Sequence, residues 1–117
     1  MKTKLSFFLI ALFFSVNSFG QSFTSNGINY NVTSTTTVEV IGFDNTISGA
    51  VNIPSNVIYN SNNYVVNNIY NFAFAGFTSM TSLTIPNTVT NIGEGAFQNC
   101  SGLISVNIPN SIYILEQ

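Results

Sequence analysis

Residues 89–111 read VTNIGEGAFQNCSGLISVNIPNS, and the 23 residues before them, 66–88, read VNNIYNFAFAGFTSMTSLTIPNT. Set one on the other without gaps, they agree at 9 of 23 positions: Val66/Val89, Asn68/Asn91, Ile69/Ile92, Ala73/Ala96, Phe74/Phe97, Ser82/Ser105, Ile85/Ile108, Pro86/Pro109 and Asn87/Asn110. Met80/Leu103, Leu83/Val106, Thr78/Ser101 and Thr88/Ser111 differ only conservatively. A fixed period of this length marks a solenoid, in which one unit cannot bury its own apolar face and must stack on the next. The pattern inside the unit says how. In Ser82-Leu83-Thr84-Ile85-Pro86, alternation puts Leu83 and Ile85 on one face and Ser82 and Thr84 on the other. Pro86 has no N–H to give a ladder and ends the strand. In the second unit Val106 and Ile108 are expected inside, with Ser105 and Asn107 outside.

Ala50–Pro54 (AVNIP) repeats this strand pattern upstream. Adjacent strands lie about 4.8 Å apart, so Asn52, Thr84 and Asn107 are predicted to form one polar row on the outer face of a narrow parallel sheet. Ser82 and Ser105 would flank it, and these five residues are the candidate binding face. Val89 and Ile92 should turn inward again, and Gly93–Gly95 should bend the chain. Ala96, Phe97, Cys100 and Leu103 then suit a single turn or short helix with one apolar side, as do Ala73, Phe74, Phe77 and Met80.

Residues 21–65 are expected to form a β-rich N-terminal cap. Ile28–Val32 and Thr36–Ile41 are short β-branched and aromatic runs, bounded by turn chemistry at Asn26-Gly27 and Gly42–Asn45. Val57–Tyr59 and Tyr64–Val66 flank the polar run Asn60–Asn63, which predicts a hairpin. Ahead of the cap, residues 1–20 (MKTKLSFFLIALFFSVNSFG) place two lysines before the apolar run Leu5–Val16 and small residues at Ser18 and Gly20. This is the plan of a secretory signal cleaved after Gly20. The alternative is an uncleaved anchor, but the run is about a dozen residues where a spanning helix needs roughly 20. No membrane insertion is expected once the signal is removed.

Charge narrows the function. Lys2 and Lys4 are the only basic residues, and the chain has no histidine. From Gln21 onward Glu39, Asp44, Glu94 and Glu116 leave −4, the whole-chain −2 less the +2 of the two lysines. Nucleic-acid affinity comes largely from Lys and Arg on phosphates, so no nucleic-acid partner is expected. Without His or Lys, the exported part lacks the usual base for a Ser or Cys nucleophile. The chain is therefore read as not an enzyme, with no cofactor and no metal. A carboxylate-dependent hydrolase built on Glu39 and Asp44 is the remote alternative. Alternation makes Glu39 a solvated strand residue, and Asp44 sits in a Gly-Phe-Asp-Asn turn where Asp bonds its own backbone.

Cys100 is a lone thiol. It is either an intermolecular or reactive group or a small apolar filler, the reading that Phe77 in the matching slot supports. Asn31-Val-Thr33 and Asn99-Cys-Ser101 match the N-glycosylation pattern, a match that would carry no meaning if the chain were bacterial. Tyr30, Tyr59, Tyr64 and Tyr70 either pack the cap or form a flat sugar- or protein-binding surface.

The pattern IPNTVTNIGEGAFQNCSGL resembles the leucine-rich repeat of BspA-type bacterial surface proteins, and TSTTTVEVIG, GAVNIPSNVIYN and YVVNNI resemble the lead-in of secreted members. The resemblance covers about residues 28–117. It implies a mainly β solenoid: a leucine-rich-repeat stack with short parallel strands, single helical turns, an N-terminal β-hairpin cap and an uncapped C-terminal end. The expected organisation is 1–20 signal, 21–65 cap and 66–117 repeats (66–88, 89–111, and a truncated third from 112). It also implies a secreted or cell-surface adhesion role toward extracellular protein or polysaccharide, and brings no catalytic residues. Two features depart from the family pattern. Tyr70 and Phe72 stand where it favours Gly or small polar residues, and the chain stops at Gln117 inside the third repeat. The second reading is accordingly a truncated structural fragment of a longer repeat protein, with Ile112, Ile114 and Leu115 exposed and end-to-end self-association as the consequence.

Overall fold

The computed structural model describes residues 19–116, so the predicted signal lies, apart from its last two residues, outside the described part. Ten strands follow in order: β1 (Ser22–Ser25), β2 (Ile28–Val32), β3 (Thr37–Phe43), β4 (Gly49–Asn52), β5 (Asn56–Tyr59), β6 (Asn62–Ile69), β7 (Met80–Thr84), β8 (Asn91–Ile92), β9 (Ser105–Asn107) and β10 (Ile114–Leu115). They form two sheets. The larger runs β1-β2-β3-β6-β8-β10, with β5 on β6, and the smaller runs β4-β7-β9. From β3 and β4 onward the strands of successive coils stack in parallel in both sheets, and β5 joins the larger sheet as the antiparallel hairpin partner of β6.

The 23-residue period becomes coil-on-coil register. Val51, Leu83 and Val106 are direct partners, as are Ile69 and Ile92. Their side chains line the interior, where Val51, Leu83, Ile69 and Ile92 are buried and Val106 is half-buried. Phe74 and Phe97 stack at 6.3 Å with planes 6° apart, and Phe43 stacks on Phe77 at 3.9 Å. The apolar segments after β6 and β8 are isolated turns rather than continuous helix: Phe77 N–H donates to Phe74 O, and Cys100 N–H to Phe97 O. The left-handed backbone positions repeat as well, with φ of 58° at Phe72 and 63° at Gly95, then 78° at Gly76 and 60° at Asn99.

Two expectations at the C-terminal end fail. Ile108 is 46% exposed although its equivalents Ile53 and Ile85 are buried. Alternation points it inward, but burial in a stack is completed by the next coil, and among the described residues none covers it. Ile112, expected to be exposed, packs against the core instead, while Ile114 and Leu115 are exposed.

At the other end the cap closes the core. β1 and β2 pair across Asn26-Gly27 (φ 49° and 81°), and β5 and β6 across Asn60-Ser61 (φ 51° and 65°). Consecutive positive φ values give a turn whose twist matches that of paired strands. Phe23 of β1 stacks on Tyr59 of β5 at 4.2 Å and on Tyr30 of β2 at 5.3 Å. Tyr30 is completely buried, and burial pushes its phenol up to about 12 from 10.0. A proton held more tightly in the folded chain stabilises it fully below the unfolded value and less as pH rises through the folded one. Stability should therefore hold up to about pH 10 and fall by roughly 2–3 kcal/mol between pH 10 and 12. Denaturant titrations across that window should show this component of the loss in the wild type and lack it in Tyr30→Phe.

Candidate binding face

The smaller sheet carries the five candidate residues in register. Ala50, Ser82 and Ser105 are partners across its three strands, and Asn52, Thr84 and Asn107 are partners two positions on. Asn52, Thr84, Ser105 and Asn107 are exposed and Ser82 is half-buried. Two inter-strand steps make the row about 10 Å wide. It offers amides and hydroxyls, which both donate and accept hydrogen bonds, and it carries no charge.

The acids are held elsewhere. Glu39 sits on the outer face of the larger sheet, where Asn31 Nδ2 donates to its Oε2 at 3.2 Å and Asn68 Nδ2 to its Oε1 at 2.8 Å. Asn91 Nδ2 in turn donates to Asn68 Oδ1. These four half-buried residues are backbone partners on β2, β3, β6 and β8, so they form one row across the sheet. The sequence signal for the row was the Asn68/Asn91 identity, to which no role was given. Glu39 is thus the root of an amide row rather than a free solvated charge. Asp44 is half-exposed and accepts from the Thr46 hydroxyl and, at 2.9 Å, from the Thr46 N–H. The Thr46 hydroxyl first, and its N–H second, lower the Asp44 pKa. Glu39 and Asp44 share no hydrogen-bond partner.

Cys100 occupies the slot of Phe77, half-buried, and its thiol donates to Phe74 O at 3.0 Å. Burial pushes the thiol pKa up, partly opposed by the Phe77 backbone. That is the setting of a packing residue rather than of an activated nucleophile. Of the four candidate tyrosines, Tyr30 and Tyr64 are buried, Tyr59 is stacked under Phe23, and Tyr70 alone stands out in solvent at 50% exposure. The four tyrosines therefore do not build a flat surface.

The Phe72 departure has a local explanation. A Cβ on Gly95 would sit 2.3 Å from the Phe72 ring, and one on Gly93 would sit 2.4 Å from Asn71 Oδ1. Asn71 Oδ1 also accepts from the Glu94 N–H at 2.9 Å. Each glycine of the second unit thus makes room for the larger residue of the first.

The comparisons agree with this architecture. A solved leucine-rich repeat protein from Bacteroides ovatus superposes with a TM-score of 0.72 at 44% identity, over 77% of this chain and 24% of that one. One from Bacteroides capillosus superposes with a TM-score of 0.74 at 23% identity, over 80% of this chain and 70% of that one, and supports the fold. A leucine-rich cell surface protein from Faecalibacterium prausnitzii gives 0.66 at 25% identity, over 81% of this chain and 26% of that one. This chain thus spans about a quarter of the length of the first relative. No curated protein matches in sequence. The family profile described as "BspA type Leucine rich repeat region (6 copies)" matches residues 12–117. A match over nearly the whole chain, on coils that stack at the repeat's own period, makes this protein a member of the BspA-type leucine-rich-repeat family.

Proposed function

We propose that this protein is an exported, non-enzymatic binding module, secreted or held at the cell surface, that takes extracellular protein or polysaccharide on the smaller sheet. The observation that carries the reading is the in-register exposed row Asn52–Thr84–Asn107, flanked by Ser82 and Ser105. Flat parallel sheets with repeated neutral hydrogen-bonding groups suit extended, uncharged partners. The leader-like residues 1–20 support export, and the cell-surface relative from F. prausnitzii supports a surface location.

The test is a binding screen of the purified protein against neutral polysaccharides and extracellular-matrix proteins, repeated at low and high ionic strength. Binding by neutral groups should change little with salt. Thr84→Ala combined with Asn107→Ala should weaken it about tenfold or more, at about 0.5–1.5 kcal/mol per hydrogen bond lost. Steep loss at high salt, or no effect of the double variant, counts against the face.

The exposed Ile104, Tyr113, Ile114 and Leu115 favour a second reading, a structural piece of a longer repeat protein. Sedimentation of the same preparation separates the two. A monodisperse monomer supports the module, and concentration-dependent association supports the fragment. The hydrolase reading gains nothing from two carboxylates with separate hydrogen-bond partners.

A further inference from the structure

The parallel strands β3, β6, β8 and β10 of the larger sheet run out on one side. β3 leads into Asp44, β6 into Tyr70 and Phe72, β8 into Glu94 and β10 into Glu116. Three inter-strand steps, about 14 Å, separate the first of these ends from the last. Glu39 lies on the same sheet, within β3. Together these are all the charged side chains of the described residues, and the smaller sheet carries none. Among the acids stand two aromatic rings in solvent, for Tyr70 and Phe72 are each 50% exposed. Packing does not call for them, because the next coil forms with Gly93 and Gly95 at the matching positions. Phe72 also holds a φ of 58°, a left-handed value that is rare for a bulky residue. Their segment is tied to the neighbouring acid. Phe72 N–H donates to Glu94 O at 2.9 Å, and Asn71 Oδ1 accepts from the Glu94 N–H at 2.9 Å. The rings and the exposed Glu94 side chain are thus presented together on a fixed backbone. Single exposed apolar residues are ordinary on any surface. Two rings within three residues, among all the charges of the described chain, are not.

We propose that this edge binds an arginine-bearing basic segment of a protein partner. Its guanidinium groups lie on the Tyr70 and Phe72 rings and pair with the Glu94 carboxylate, while Asp44 and Glu116 add attraction from either side. Charge complementarity sets the choice. Four acids with no compensating base repel an acidic partner and gain nothing from a neutral one. An aromatic face beside a carboxylate fits a guanidinium, which stacks flat on a ring and donates from its edge. Lysine, a compact and strongly hydrated point charge, gains less from the rings. A metal ion is a poorer fit, since no three acids among the described residues stand close enough to hold one. The surface is separate from the smaller sheet and its occupant is charged. The inference therefore goes beyond the proposed reading and does not depend on it.

The experiment is fluorescence anisotropy of a labelled peptide of alternating arginine and glycine with the full chain, at low and high ionic strength. Peptides with lysine or glutamine in place of arginine are run beside it. The arginine peptide should bind, the lysine peptide more weakly and the glutamine peptide not at all. High ionic strength should weaken binding at least about tenfold, as exposed charges are screened. Tyr70→Ser combined with Phe72→Gly should weaken it about tenfold, from about two- to fivefold per ring. This pair leaves the net charge unchanged, so general attraction to an acidic protein would not register it. Glycine accepts the left-handed backbone at position 72, and the next coil lacks both side chains, so the fold tolerates the pair. Glu94→Gln should weaken binding about threefold. Thr84→Ala with Asn107→Ala should leave it unchanged. No binding of the arginine peptide, equal binding of the glutamine peptide, or insensitivity to both the ring pair and Glu94→Gln overturns the proposal. So does loss confined to the Thr84 and Asn107 variant, which would place the peptide on the smaller sheet. Failure at Tyr70, Phe72 and Glu94 leaves the polar-face reading to stand or fall on its own residues.

Discussion

Phe74→Ala is expected to remove about 3–5 kcal/mol of stability, the usual cost of deleting a fully buried aromatic ring. Phe74 has no exposed surface. Its ring lies 6.1 Å from Phe77 and 6.3 Å from both Phe43 and Phe97, so three aromatic contacts of about 0.5–1.5 kcal/mol each are lost with the apolar area. The hole cannot readily collapse, because the backbone around it is tied to the next coil. Phe74 N–H donates to Ala96 O at 2.9 Å, and Gly76 N–H to Gln98 O at 2.8 Å. Chemical denaturation measures the loss. Phe97→Ala should cost distinctly less, since Phe97 is only half-buried and has no further coil against its other side among the described residues. Equal losses at both positions would mean that the ring stack is not carried coil by coil.

Gly102→Ala is expected to cost about 3 kcal/mol, at the upper end of ordinary overpacking. The added Cβ would lie 2.2 Å from Thr78 O and 3.3 Å from Met80 O, both backbone atoms of the preceding coil. The coils cannot part locally, because Ile104 N–H is bonded to Thr81 O at 2.8 Å two residues on. The effect is steric rather than conformational, since Gly102 is not among the positive-φ residues. Gly42→Ala is the matched control. Its Cβ would meet Asn29 Nδ2 at 3.4 Å, an ordinary contact. Reducing backbone freedom inside a strand there should be neutral or stabilising by up to about 1 kcal/mol. The difference in thermal midpoint between the two variants isolates the coil-to-coil approach.

The solenoid was legible because parallel stacking gives the same slot to residues one period apart. Leu83 with Val106 and Phe74 with Phe97 could be placed in contact from spacing alone. The alternation that separated Thr84 from Leu83 likewise set the outer row. What stayed hidden depends on neighbours outside the period. Glu39 reaches Asn68 over 29 residues, across a register shift between Val38 and Glu39, so no 23-residue comparison pairs them. The exposure of Ile108 depends on what lies beyond its coil rather than on its own alternation. The left-handed backbone of Phe72 was masked by its side chain. Only the glycine at the matching position, 95, hints that the site needs positive φ. The burial of Tyr30 was out of reach because burial of the cap core depends on how two hairpins meet.

The amide row on the larger sheet has a head and a tail. Asn91 donates to Asn68, and Asn68 to Glu39, so each dipole is aligned and the series terminates on one anion. Side chains on neighbouring strands can join such a series only if the strands are paired without slippage. At the next position Ile114 faces Asn91 and brings no amide. The row thus acts as a ruler that checks alignment through the coils of β3, β6 and β8 and then stops, leaving the last strand's alignment to backbone pairing and to the neighbouring Ser111 hydroxyl, which donates to Val89 O at 2.7 Å.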